Sequence, residues 1–320
     1  MPAAPRISVI IPIFNMGAYL SECLTSVLQQ SLQSIELICV NDGSNDESAD
    51  ILKHFEQQDS RVRVISKENQ GVSAARNDAI HAATGEYLYF LDPDDRLPAR
   101  DTLELLYTKA TTHSAFICGG AIAYFKPDQP ELKQKFAPEL QGYLFPQEGR
   151  ISYADYQFDF GFTRFIYQRK MIVEHKLFFP PYTFFEDPPF LVRAMLCAGW
   201  FYAITQTTYA YRVGHHRINW TPQKVTHLFS GLQEIWQLAT EQRLSRLQQY
   251  VWYRLRSFYS DTLRLLSPEH KQFAQEVDNT ARPTPKSRFR WVFSKNKFFL
   301  NKNMRQFTIL GFKLTKIKKA

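Results

Sequence analysis

Three carboxylates, Asp92, Asp94 and Asp95, crowd into four positions just after Leu91, and two more, Glu186 and Asp187, stand side by side among aromatics and prolines. Crowded carboxylates repel and raise one another's pKa unless a divalent cation or a strong donor set neutralises them, and the simplest partner is a hard divalent metal such as Mg²⁺ or Mn²⁺. Pro93 fixes its own φ and holds the turn open, so that the flanking oxygens can converge on such an ion. An ordinary acidic turn closing a strand is the alternative. For Glu186 and Asp187, the surrounding Phe184, Phe185 and Phe190 imply partial desolvation, which raises a carboxylate pKa and suits a general base. The same acids, with Pro188 and Pro189 behind them, also suit the first turn of a helix, and the two roles are compatible.

The elements that must position these groups follow from periodicity. Ile7 to Ile13 is a β-branched run predicting a strand that ends at Pro12, and Ile35 to Val40, Val62 to Ile65 and Tyr87 to Leu91 predict three more. Between them, Tyr19 to Leu28 recurs at helical spacing, Ser44 to Glu47 has the form of a capping box before a second helix, and Gly71 opens a third that Thr84-Gly85 closes. Strands alternating with helices in this way predict an α/β fold, a Rossmann-like, mostly parallel sheet wound on both faces. Ligands bind beyond the carboxyl ends of such strands, where Pro12, Asn15, Asp42 and the Asp92 to Asp95 turn gather. No G-x-G-x-x-G follows the first strand and no Walker A sequence is present, so the phosphates of a bound nucleotide fall to metal and side chains.

Composition narrows the class. The chain has 320 residues, 44% of them hydrophobic and 15% aromatic, enough to bury a sizeable core. Twelve of the 39 basic side chains and none of the 31 acidic ones fall in residues 281–320, which leaves 27 basic against 31 acidic in residues 1–280, a net charge of −4. A mildly acidic body disfavours nucleic acid as a partner, because a phosphate backbone needs a basic footprint. Cys23, Cys39, Cys118 and Cys197 show no C-x-x-C pairing and sit in apolar contexts, which predicts buried, reduced thiols. No signal peptide precedes Arg6 and no apolar run approaches the ~18 residues of a membrane span, so the expected location is the cytoplasm.

Four ordered blocks then carry a resemblance. Val9-Ile10-Ile11-Pro12-Ile13-Phe14-Asn15, Val40-Asn41-Asp42-Gly43-Ser44-Asn45-Asp46, Asn69-Gln70-Gly71-Val72-Ser73-Ala74-Ala75-Arg76-Asn77 and Tyr89-Phe90-Leu91-Asp92-Pro93-Asp94-Asp95 resemble glycosyltransferase family 2 and its GT-A fold. The likeness is strong over residues 7–100 and looser to about residue 215. It implies that Pro12 and Asn15 line the base and ribose pocket, that Asp42 accepts from the base at a uracil imide, and that Asn69 and Arg76 flank the diphosphate. Asp92 and Asp94 match the family's D-x-D pair, with Asp94 the direct metal ligand. Glu186 and Asp187 match its E-D motif, which assigns the base to Asp187 with Glu186 in reserve. Tyr211-Arg212 matches an element that contacts the diphosphate or the metal, and His215 is either a third metal ligand or part of a surface loop. The implied activity is inverting, metal-dependent transfer from a nucleoside diphosphate sugar, UDP-linked, to a lipid-linked glycan of the bacterial cell surface such as a lipopolysaccharide. Two other classes fit an acidic site on an α/β sheet: a nucleotidyl or phosphoryl transferase, which wants a basic cluster that Pro12 to Tyr19 lacks, and a non-catalytic carbohydrate-binding protein.

Farther along, a helix is expected from Pro98 to about Thr112, a strand over Ala115 to Tyr124, and a proline-rich surface excursion from Phe125 to Gln147 that carries acceptor contacts together with Tyr153 to Phe165. Trp200 to Ile204 and Thr207 to Val213 predict two paired strands. The expected organisation is a catalytic domain at 1–215, its nucleotide half 1–97 and acceptor half 98–215, a helical appendage at 216–280 that closes over the site or supports an oligomer, and a tail at 281–320. The tail interleaves basic residues with large apolar ones and predicts peripheral attachment to an anionic membrane surface.

Overall fold

A computed structural model describes residues 4–134, 142–214, 218–255 and 268–281, and the backbone of 306–309 and 312–315. The first run forms β1 (Ile7–Ile13), with β2 (Ile35–Asp42) and β4 (Tyr87–Phe90) parallel on either side and β3 (Val62–Lys67) parallel outside β2. α1 (Gly17–Leu28), α2 (Ser48–Gln58) and α3 (Val72–Ala82) connect them. Pro12 does not end β1 as the sequence suggested. The β1–β4 pairing stops at Ile10 and Phe90, so the missing N–H of Pro12 falls where β4 has already turned away, while Pro12 still lies opposite Val40 of β2.

The second half begins with α4 (Thr102–Thr112), later than the expected Pro98, followed by β5 (Ile117–Lys126), β6 (Gln129–Lys133) and β7 (Gly149–Ser152). α5 (Tyr153–Tyr156), β8 (Phe165–Gln168), α6 (Arg169–Glu174), α7 (Asp187–Ala198) and β9 (Trp200–Arg212) complete it. The sheet runs β3-β2-β1-β4-β8-β5-β9-β7, with β6 beside β5. β8 is antiparallel to both β4 and β5, so strand direction reverses immediately beside the acidic strand end.

Alternation buries both faces. Val9, Ile11, Leu37, Cys39, Tyr87, Tyr89 and Leu91 pack with α1 and α4, whereas Ile10, Ile38, Val40, Leu88 and Phe90 pack with α3 and α7. The second cluster extends into α8 (Pro222–Glu241), α9 (Ser245–Tyr253) and α10 (Pro268–Ala281) through Leu228, Phe229, Leu232, Val251 and Val277. β10 (Gln306–Ile309) and β11 (Phe312–Thr315) pair antiparallel. Among the described residues no helix is long and apolar enough to cross a membrane.

Four further expectations need correction. The predicted strand pair at 200–213 is the single strand β9: Ala203 and Tyr209 of β9 lie opposite Gly119 and Ile122 of β5, so β9 carries the longer stretch and bulges. Gly120 permits this, since a Cβ there would lie 2.2 Å from the Gln206 carbonyl. Ser44 to Glu47 does not form the capping box: the residue before α2, Glu47, makes no side-chain cap, and only Asp46 Oδ1 accepts from Ser48 N (3.0 Å). Ser44 Oγ accepts from Asn15 N (3.0 Å) and Asp46 Oδ2 from Gly17 N (3.0 Å), so these side chains also hold the β1–α1 loop. Within the excursion at 125–147, Tyr143 and Phe145 are core residues, and residues 135–141 lie outside those described. Cys197 is exposed, unlike the other three cysteines.

Candidate active site

Leu91 still donates to Ile10 O (3.0 Å), after which the chain turns and Asp95 N closes on Asp92 O (3.0 Å). This turn is gripped from β9. The Tyr209 hydroxyl donates to Asp95 Oδ2 (2.5 Å), and the Arg212 backbone N–H donates to Asp95 Oδ1 (2.6 Å). Arg212 Nε also donates to the Asp94 carbonyl (2.6 Å), and its Nη2 pairs with Glu22 Oε2 of α1 (2.5 Å). Arg212, expected at the diphosphate or the metal, is 5% exposed and braces the acidic turn. Asp95 is buried, and desolvation together with Asp94 and Asp92 pushes its carboxyl well above the usual range.

Arg76 joins the two acidic motifs. Its Nη2 donates to Asp92 Oδ1 and its Nη1 to Glu186 Oε1, both at 2.8 Å, from a side chain only 5% exposed. Phe162 and Phe179 lie against the guanidinium at 4.9 and 5.0 Å. Arg76 therefore sits on the buried side of α3, not on a solvated face, and one planar fork fixes two carboxylates that are distant in sequence. Burial raises Asp92 against the opposing charge of Arg76, with Asp94 adding to the rise.

Asp187 is the first residue of α7 and is half-buried. Desolvation first, then the neighbouring Glu186 charge, push its carboxyl up to about 8, against the opposing pull of Arg76. A carboxyl poised there accepts a proton near neutral pH, which an exposed aspartate does poorly.

On the nucleotide side, both Asp42 oxygens accept backbone N–H groups, from Gln70 (2.9 Å) and Gly71 (2.8 Å), tying the end of β2 to the start of α3. Asp42 is thus first a clamp between loops, a role its sequence context did not signal. Asn15 holds φ at +54° and its Oδ1 accepts from Asn45 N (2.9 Å), which joins the loops after β1 and β2. Asn69 is exposed beside Gly43, whose φ is +76° and whose Cβ would lie 2.9 Å from Asn69 N. Pro12 is buried inside β1. His215 lies outside the described residues. Glu22 and Tyr209 are the site residues that sequence patterns miss: one lies on the exposed face of a helix and the other within a strand, with no motif around either.

Carboxylate oxygens suit a hard cation, but among the described residues no three His, Cys, Asp or Glu side chains converge to hold one. Asp95 is committed to β9, and Asp92 to Arg76 through Oδ1, while its Oδ2 lies 3.5 Å from the Tyr209 hydroxyl. Asp94 and the second Asp92 oxygen fit the mode in which Mg²⁺ or Mn²⁺ takes one or two carboxylates and completes its shell with water and substrate phosphates.

Residues 8–175 match the family described as Glycosyl transferase family 2. The chain is 33% identical over 228 residues to EpsH of Bacillus subtilis (strain 168), which carries a glycosyltransferase name; the alignment covers 65% of this chain and 61% of EpsH. It spans, that is, about three fifths of this relative. Among solved structures, S. aureus TarS 1-349 in complex with UDP-GlcNAc superposes with a TM-score of 0.65 at 18% identity, covering 85% of this chain and 79% of TarS. The mannosyltransferase PcManGT from Pyrobaculum calidifontis, in complex with GDP-Man and Mn²⁺, gives 0.55 at 15% identity, with 86% and 85% covered. These two establish a shared fold.

Proposed function

The chain belongs to glycosyl transferase family 2, and from that premise we propose that it is an inverting glycosyltransferase moving one sugar from a UDP-sugar to a hydroxyl of a glycan acceptor. The observation that carries the proposal is the Arg76 fork, which holds the turn that would meet the leaving diphosphate and the pair that would meet the attacking hydroxyl on one guanidinium. The acceptor oxygen bonds to the anomeric carbon as the bond from that carbon to the diphosphate oxygen breaks on the opposite face. Asp187 takes the acceptor proton, and UDP departs with the bonding electrons. Asp94 and Asp92 would hold a divalent cation, which when bound supplies countercharge to the diphosphate. Arg76 opposes the rise that burial imposes on Asp92 and holds Glu186 in place. Asn15 and Asp42 shape the loops around the base and ribose, and Asn69 lies at their rim.

The UDP assignment takes support from the UDP-GlcNAc complex of TarS, and the cation from the Mn²⁺ complex of PcManGT. We place catalysis in residues 1–215, with 216–280 a helical support and 281–320 a basic, apolar tail that attaches the enzyme to an anionic membrane face where lipid-linked acceptors lie. A thermal-shift panel of nucleoside diphosphates with and without Mn²⁺ tests the donor, since a ligand that binds only the folded state raises its stability. UDP with Mn²⁺ should give the largest shift, and the sugar transferred from the selected donor should appear with inverted anomeric configuration by NMR. Retained configuration would remove this mechanism, and a flat panel would remove the donor class.

A further inference from the structure

Phe185, the residue before Glu186, holds φ at +66° although its ring is buried. A bulky side chain avoids this left-handed region, and such a conformation persists only where its surroundings over-determine it. Those surroundings come from the C-terminal helices. In α8, Gly231 has no side chain to interfere: a Cβ there would lie 2.7 Å from Phe185 Cδ1 and 3.1 Å from the Phe185 carbonyl oxygen. Just past α9, the Arg254 guanidinium lies 5.4 Å from the Phe185 ring and 4.0 Å from the Phe160 ring. Arg254 is itself fixed by Asp159, through Nη2 to Oδ1 at 2.6 Å and through Nη1 to Oδ2, in a pair that is 3% and 0% exposed. One turn earlier in α8, His227 Nδ1 accepts from Thr183 N (2.9 Å) and its ring stacks on Tyr182.

We infer that Phe185 is a positioning residue, locked in its left-handed turn by Gly231 and the buried Arg254–Asp159 pair, and that this turn sets where Glu186 meets Arg76 and how Asp187 enters the site. The C-terminal helices thereby act on catalysis through the backbone at Phe185. The inference rests on the proposed transfer reaction.

The test compares Gly231→Ala, and separately the double variant Arg254→Met with Asp159→Leu, against the parent full chain. Replacing both members of a buried pair by apolar residues keeps the core folded where removing one does not. Steady-state kinetics across pH and amide hydrogen exchange of residues 183–188 are measured on each. Each variant should lose at least about tenfold in kcat with donor KM changed less than about threefold. The acidic limb of kcat/KM should move, and exchange at 184–187 should quicken while the amides of β1 and β2 keep parental rates. A folded variant with parental kcat, parental pH limb and parental exchange overturns the inference. If Gly231→Ala does not fold, the double variant decides. Were the parent unable to transfer sugar from any donor, the proposed function would fail, and the exchange comparison would still decide whether Phe185 is locked from α8 and α9.

Discussion

In the proposed reaction the Asp187 carboxylate must be reluctant to ionise and yet able to take a proton. Asp187→Asn keeps the shape and a hydrogen-bonding group but cannot accept the proton, so kcat should fall roughly 10²–10⁴-fold while UDP affinity by calorimetry stays at the parental value. A parental kcat would transfer the role to Glu186. The same variant has a signature in stability. Burial and Glu186 raise the folded carboxyl above its value in the unfolded chain. Below the unfolded value, about 4, both states hold the proton and Asp187 contributes nothing. As pH rises, the unfolded chain ionises first and the folded state loses stability, until the folded carboxyl ionises at about 8. Asp187→Asn removes that loss, so the variant should melt above the parent by a gap that opens between these two values. A gap independent of pH would mean that the carboxyl is not raised.

Among elements, the loops after β1 and β2 and the loop before α3 form one unit, held by Asn15, Ser44, Asp46 and Asp42 acting on one another's backbones. Gly43 lets two of these loops meet. Gly43→Ala forces an L side chain to +76° and places its Cβ 2.9 Å from Asn69 N, which should cost about 1–2 kcal/mol and weaken UDP binding in calorimetry. An unchanged melting temperature would show that the loops slide apart without penalty. This unit also marks what a sequence can disclose. The parallel half was legible because period-2 runs and a helical stripe such as Leu20, Cys23, Leu24 and Val27 state their own environment. The polar loop residues were legible as present but not by partner: Ser44 to Glu47 has the pattern of a cap, yet Ser44 Oγ and Asp46 Oδ2 serve backbone N–H groups in a loop some thirty residues earlier, and only Asp46 Oδ1 reaches α2. The bulge of β9 was hidden for the same reason, since it depends on Gly120 across the sheet.

On the scale of the whole molecule, charge is divided between a mildly acidic body and a basic tail, most of which lies outside the described residues. Deleting residues 283–320 should leave turnover on a soluble acceptor nearly unchanged and abolish sedimentation with anionic vesicles, with the parent's binding weakening as salt rises. Failure of the parent to sediment at low salt would exclude the membrane role. The site itself was only half legible at this scale: Asp92, Asp94, Glu186 and Asp187 stood out by crowding, but the fork that unites them needed the burial of Arg76, and the grip on Asp95 needed Tyr209.

That grip has a consequence for the order in which the protein matures. Asp95 is held by residues 114 and 117 positions later, long after β1 to β4 have left the ribosome. Until β9 inserts between β5 and β7, the acidic turn is held through Asp92, by Arg76 and Cys23, and Asp95 cannot be dehydrated without its donors. A nascent chain ending at residue 175, where the family match stops, carries Asp92, Asp94 and Asp95 and still lacks the strand that immobilises them. The acidic turn is thus completed from its far end, by a strand that follows it by more than a hundred residues.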